Sequence, residues 1–344
     1  MTKNSKKFTS LDQIGEFGLI NLLSKNVKLK NASSIMGIGD DSAIIDNSNL
    51  QTLVSTDMLV EGIHFDLSYF PLKHLGYKSI VSSISDIYSM NANCNQVTVS
   101  IAVSNRFKLE SIEEFYLGIN LACKNYGVDL IGGDTTSSNK GLVISITAIG
   151  SAKKEKIVKR SGAKINDLIV TTGFLGNAYL GLQVLEREKQ VFLVNPKSNP
   201  DLSKYKELIE HQLKPEARND IISFFHENSI IPTSMIDISD GLSSEIIHIC
   251  NCSKVGCELF EDKMKFNDLF IKTCEEFKLE PTTIALSGGE DYELLFTINQ
   301  NDYKKIKDDN KFNVIGHITG NKDLFLNLKN KTKTKISSLG WKSF

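Results

Sequence analysis

MIDISDGL, residues 235–242, holds a strand, a turn and the start of a helix in eight residues. Residues 235–238 set apolar and β-branched side chains around Asp237 and read as a strand. Asp240-Gly241 is turn chemistry. The run 242–250 has helical apolar spacing. Working outward, the same alternation recurs. The spacing predicts strands at 52–55, 97–103, 142–149, 168–171, 257–260, 293–298 and 312–315. It predicts helices over 72–90 and 112–126, the second ended by Gly127, and a helix beginning within 178–185. Ser10 to Gln13 forms a capping box ahead of Ile14, Phe17 and Leu22. Residues 195–203 read as a surface loop. The segment 151–164 carries six Lys or Arg residues and reads as a connector. Two domains are therefore expected, 1–150 and 151–344, of α/β or α+β class.

Composition narrows the partners. The 344 residues are 41% hydrophobic and 24% charged, and 40 basic residues balance 41 acidic ones for a net charge of −1. No global field draws such a chain to nucleic acid or to a membrane. No apolar run approaches the roughly 18 residues of a membrane span, and the N-terminal stretch lacks a signal-peptide core. A cytosolic protein is expected, and the six cysteines fit one that needs no disulfide staples. Cys250, Cys252 and Cys257 match no common zinc spacing, and Cys250 reads as helix core. Only four cations are Arg, the residue best suited to clamping phosphate, so a polyanion site must draw positive charge from elsewhere.

Six segments place acids beside Gly, Ser or Thr next to apolar runs: GIGDDSAII (37–45), STDMLVEGIHF (55–65), SISDIYSM (83–90), IGGDTTSS (131–138), IDISDGL (236–242) and LSGGEDYELLF (286–296). Any one of them could be an ordinary cap or turn. Six in one chain point to converging carboxylates, which repel unless cations neutralise them. Oxygen ligands without His or Cys suit Mg²⁺, and the EF-hand spacing of Ca²⁺ loops is absent. Mg²⁺ held by a few carboxylates implies a phosphate-rich ligand, with ATP the obvious candidate. The phosphate loop of P-loop proteins, the protein-kinase motifs and the Rossmann glycine spacing are all missing.

Taken together, and with VKRSGAK (158–164), TGFLGNAYLGL (172–182) and HQLKPEAR (211–218), these segments closely resemble the thiamine-monophosphate kinase family of the aminoimidazole-ribonucleotide-synthetase-like superfamily. The resemblance runs from Phe17 to Gly340-Trp341. One departure is Ser137-Ser138 after GGDTT, where many members carry a basic residue. The resemblance implies a phosphotransferase that moves the γ-phosphate of ATP to thiamine monophosphate with Mg²⁺. It implies a homodimer whose N-terminal sheets pair into a shared barrel, each subunit carrying a C-terminal α/β domain. By the same resemblance, Asp41, Asp57, Asp86, Asp134, Asp237 and Asp240 hold Mg²⁺, helped by Ser55 and Thr56. Asp40 is either a further ligand or a hydrogen-bond acceptor behind one. Tyr116, Gly133, Asp134, Arg160 and Ser239 meet ATP, and His64, Glu290 and Trp341 meet the substrate.

Plainer roles stand beside these. Arg160 is either a phosphate contact or part of a solvated basic run. Trp341 either stacks on the thiazolium cation or anchors the C-terminus. His64 is either a loop histidine or a donor to the substrate, and the plain role of Glu293 is to support its strand. The acceptor's own phosphate, with a second pKa of about 6, is mostly dianionic at neutral pH, so no general base is required. Direct in-line transfer is the expected mechanism. The alternatives are another ATP-dependent enzyme of the superfamily, of the aminoimidazole ribonucleotide synthetase kind, or a non-catalytic nucleotide-binding regulator.

Overall fold

The computed structural model describes Ile14, Leu19 and residues 22–36, 44–45, 50–198 and 200–337. The capping box at 10–13 and the candidate residues Asp40, Asp41 and Trp341 lie outside the described residues. The chain divides into two compact units. One combines Met1–Ile87 with Cys94–Ser151, and the other combines Tyr88–Asn93 with Ala152–Phe344.

The first unit holds β1 (Ser34–Met36), β2 (Ile44–Ile45), β3 (Gln51–Val60), α1 (Leu72–Ser89), β4 (Asn93–Val103), α2 (Leu109–Tyr126), β5 (Asp129–Ser137) and β6 (Leu142–Ala152). β1 and β2 pair by themselves, and the other strands form a sheet in the order β3-β6-β4-β5. Strands β4 and β5 run parallel, with α2 as their crossover. Gly127 ends α2 in the left-handed region (φ 66°) as its sequence position predicts, and its amide returns to the Cys123 carbonyl. Alternate positions of the strands are buried, among them Leu53, Leu59, Val99, Ile101, Ile144 and Ile146. Leu75, Ile80 and Ile84 of α1 join Ile112, Phe115 and Ile119 of α2 in the same apolar interior. The opposite face of the sheet is open, with Val54 at 64% and Met58 at 60% exposure on β3.

The second unit contains β7 (Leu168–Thr172), α3 (Asn177–Val194), α4 (Lys206–Leu213), α5 (Asn219–Glu227), β8 (Ser234–Ile238), α6 (Leu242–Ser253), β9 (Gly256–Phe260), α7 (Asp268–Phe277), α8 (Pro281–Ser287), β10 (Glu293–Ile298), α9 (Tyr303–Ile306), β11 (Phe312–Thr319), β12 (Leu324–Asn327) and β13 (Lys333–Lys335). Its seven strands run β13-β12-β9-β11-β7-β10-β8. Most neighbours are antiparallel, and β12 lies parallel to β9. A sheet of this kind is α+β in character rather than a parallel α/β sheet. The core gathers Ile169, Ile236, Ile238, Leu242, Ile246, Leu295 and Ile318 from β7, β8, α6, β10 and β11. Cys250 and Cys257 are buried in it, which bears out the reading of Cys250 as core, whereas Cys252 is exposed.

The strands extend beyond their expected limits, as with β3, which runs ten residues rather than four. Strand β10 falls at 293–298 as expected. The segment IGGDTTSS, given no element from its spacing, lies mostly within β5. Its register with β4 sets Ser100 against Asp134, so pairing overrides a weak local β preference.

Candidate active site

In the first unit the structure brings three of the candidate residues together. β-strand alternation sets Ser55 and Asp57 on one face of β3 and Thr56 on the other. Ser55 Oγ donates to Asp86 Oδ2, which α1 presents from mid-helix. Asp57 Oδ2 is buried and has no hydrogen-bond partner among the described residues. The Asp57 carboxyl is pushed up to about 6, first by burial and then by the Asp86 charge, with the Ser83 hydroxyl opposing. A buried carboxylate oxygen without a partner, beside a second acid, is the arrangement that a hard cation relieves. The donors are all oxygen, so Mg²⁺ fits their chemistry.

Thr56 stands apart from this group. Its Oγ1 meets Thr147 Oγ1 of β6 at 2.9 Å on the open sheet face. Asp57 and Asp134 lie inside strands, whereas the sequence pattern suggested strand ends, and Asp86 lies inside its helix, as the expected span 72–90 has it. Gly133 and Asp134 are exposed on β5. A Cβ on Gly133 would lie 1.8 Å from the Val99 carbonyl oxygen, so only glycine lets the two backbones approach. His64 follows β3 and is exposed, and its Nδ1 accepts from the Val60 amide at 2.9 Å. That bond leaves the proton on Nε2, where it can be donated outward. The Tyr116 ring is buried on α2, and burial pushes its phenol up to about 12.

The second unit assembles the other candidates around the end of β8. The connector runs beside this strand, with the Met235 amide donating to the Lys159 carbonyl at 3.0 Å, and so delivers the exposed Arg160. Asp237 is buried on β8, opposite Leu294 of β10. Ser239 and Asp240 form the turn into α6. Burial raises the Asp240 carboxyl, and the nearby His248 and Arg160 pull it back. The second acidic loop is pinned to this turn: the Glu290 amide donates to the Ser239 carbonyl at 2.7 Å, and the Tyr292 amide to the Ile238 carbonyl at 3.0 Å. Glu290 adopts a left-handed backbone (φ 65°), uncommon for a non-glycine residue, and its Oε2 accepts from Gln212 Nε2 at 2.9 Å. Among the described residues, no three or more His, Cys, Asp or Glu side chains group to hold a metal. A cleft of about 310 Å³ in this unit is walled by His211, Arg218, Asp291 and Glu293 rather than by the candidate residues.

The AIR synthase related protein N-terminal domain family matches residues 39–152. A thiamine-monophosphate kinase of Aquifex aeolicus (strain VF5) is 31% identical over 335 residues, covering 97% of this chain and 99% of that protein. The chain belongs to the thiamine-monophosphate kinase family. A second member, from Bacillus subtilis (strain 168), is 34% identical over 294 residues, covering 85% of this chain and 86% of its own. A solved structure described as AaThiL complexed with AMPPCP and TMP is similar with a TM-score of 0.75 and 28% identity, covering 99% of this chain and 100% of that one.

Sequence reasoning passed over two buried acids beside these loops. Glu245 accepts from the backbone of Ser239 and Asp240. Asp291 is buried, and its carboxyl accepts from the Gly176 amide at 2.6 Å and the Ala178 amide at 3.2 Å at the start of α3. The signal for Asp291 was its place within the quoted SGGED run. Glu245 gave none beyond an acid in the first turn of a helix.

Burial is the main cause that lifts Asp57 to about 6, Glu245 to about 7 and Asp291 to about 8. Each folded value lies above its unfolded one, so the folded state binds protons more tightly. The stability linked to these groups is complete below about pH 4 and is lost as pH rises through 6 to 8. The melting temperature in chelator is expected to fall by several degrees between about pH 5 and pH 8.5. A rising melting temperature over that window would contradict the burial of these carboxyls.

Proposed function

We propose that this chain transfers the γ-phosphate of ATP to thiamine monophosphate, giving thiamine diphosphate, in a Mg²⁺-dependent reaction. The observation that carries this is the match to family members along almost the whole chain.

Asp57, Asp86, Asp134, Asp237 and Asp240 would hold Mg²⁺, with Ser55 beside Asp86, Thr56 on the other face of β3 and Asp41 beyond the described residues. Mg²⁺, when bound, screens the charge of the two phosphate-bearing substrates. Tyr116, Gly133, Asp134, Arg160 and Ser239 serve the nucleotide, Arg160 supplying a planar fork for phosphate oxygens. His64 donates its Nε2 proton to an acceptor on the substrate. Glu290 opposes the thiazolium cation, and Trp341 offers it an indole face. An oxygen of the acceptor phosphate bonds to the γ-phosphorus in line while the β–γ bridging bond breaks and ADP leaves. The acceptor is already dianionic near neutral pH, so no side chain need take a proton. Thiamine diphosphate, oxidised to its fluorescent product, should appear only with Mg²⁺, ATP and thiamine monophosphate together. Its absence while ATP still binds would favour a sister enzyme of the superfamily.

Two copies pair through the open face of the N-terminal sheet and close a shared barrel. The exposed Val54 and Met58 support this, since apolar side chains so exposed on a sheet face call for a cover. Sedimentation should find a dimer, and Val54→Lys with Met58→Glu should leave a folded monomer. A monomeric parent protein would rule out the barrel.

A further inference from the structure

The turn that carries Ser239 and Asp240 is held from beneath by an acid that the proposed reaction leaves unused. Glu245 stands in the first turn of α6 and is 2% exposed. Its Oε1 accepts from the Asp240 amide at 2.8 Å and the Ser239 amide at 3.1 Å, with Ser239 Oγ at 3.5 Å. From the other side, the Glu290 amide holds the Ser239 carbonyl. The two peptide planes 238–239 and 239–240, which aim the Ser239 and Asp240 side chains, are therefore fixed: Glu245 holds the amide of each, and the Glu290 amide holds the carbonyl of the second. Glu245 Oε2 is buried with no hydrogen-bond partner among the described residues. A buried, half-satisfied carboxyl is costly, and sites that keep such a group generally use it.

We propose that Glu245 is a positioning residue: it sets the direction from which the Ser239–Asp240 turn meets the Mg²⁺–nucleotide, and it touches neither. This rests on the reading that Ser239 and Asp240 serve nucleotide and Mg²⁺. Glutamine at 245 keeps an oxygen that accepts from both amides, whereas methionine fills the space and accepts from neither.

The test compares Glu245→Gln, Glu245→Met and Asp240→Asn in the full chain. The readouts are MgATP binding by calorimetry without acceptor, KM for each substrate, kcat and melting temperature. Glu245→Met should weaken MgATP binding and raise its KM at least tenfold, leaving KM for thiamine monophosphate within twofold. Glu245→Gln should stay within threefold of the parent protein. Asp240→Asn should also weaken MgATP binding. If Asp240→Asn binds MgATP normally, the reading of Asp240 fails and the proposal falls with it. If Asp240→Asn weakens binding and Glu245→Met does not, only the role of Glu245 is overturned. Equal losses in Glu245→Met and Glu245→Gln, or a fall in every parameter with the melting temperature, would reduce Glu245 to a structural group.

Discussion

Asp57→Asn is expected to lower turnover roughly a thousandfold and to raise the melting temperature of the metal-free protein by a few degrees. Both effects follow from one geometry. Asp57 Oδ2 is buried without a partner, and its carboxyl is pushed up by burial and by the charge of Asp86. An amide keeps the shape and removes the charge, so the apo protein loses a repulsion while the candidate cation loses a ligand. The gain in melting temperature should be largest near pH 8 and vanish near pH 4, where Asp57 itself is protonated. Thermal melts in chelator across this range, with steady-state kinetics in Mg²⁺, read both effects. Normal turnover, or a lowered metal-free melting temperature, would remove Asp57 from the metal site.

Arg218→Ala should destabilise the second unit by about 3–5 kcal/mol, lowering the melting temperature by ~10 °C. Arg218 is largely buried. Its Nη1 donates to Glu293, and its Nε and Nη2 grip the Asp220 carboxylate at 2.9 and 3.1 Å. Glu293 also accepts from Thr172 Oγ1, which in turn accepts from the Leu294 amide at 2.8 Å. Without the guanidinium, Glu293 is a buried charge beside the buried Asp291, whose carboxyl it already pushes up. Adding Glu293→Gln to Arg218→Ala should restore part of the loss, because the orphaned charge goes too. Near-UV circular dichroism during heating measures it. A change under 2 °C for the single variant would show that the pair does not hold this unit together.

How far the sequence could be read depended on whether local chemistry or long-range pairing decided each element. Gly127 and the run 293–298 were legible, because a left-handed cap and a continuous apolar stretch need no tertiary context. The GGDTT run was not, since its strand exists through register with β4. Strand β13 is three exposed polar residues paired with β12, which leaves no pattern to detect. The candidate acids were legible as a set, because six similar segments stood out together. Their faces were not: Thr56 and Asp57 are adjacent in sequence and sit on opposite sides of β3, which only a continuous strand through both residues reveals. Glu293, expected only as strand support, turned out to be the partner of Arg218.

The most direct test of the central claim follows the fate of the phosphate. The protein is incubated with Mg²⁺, thiamine monophosphate and ATP labelled in its γ-phosphate, then quenched on the millisecond scale. The account predicts label in thiamine diphosphate at every time point, none retained on the protein, and no transfer when Mg²⁺ is chelated. ADP formed without labelled thiamine diphosphate, or label accumulating on the protein first, would contradict it.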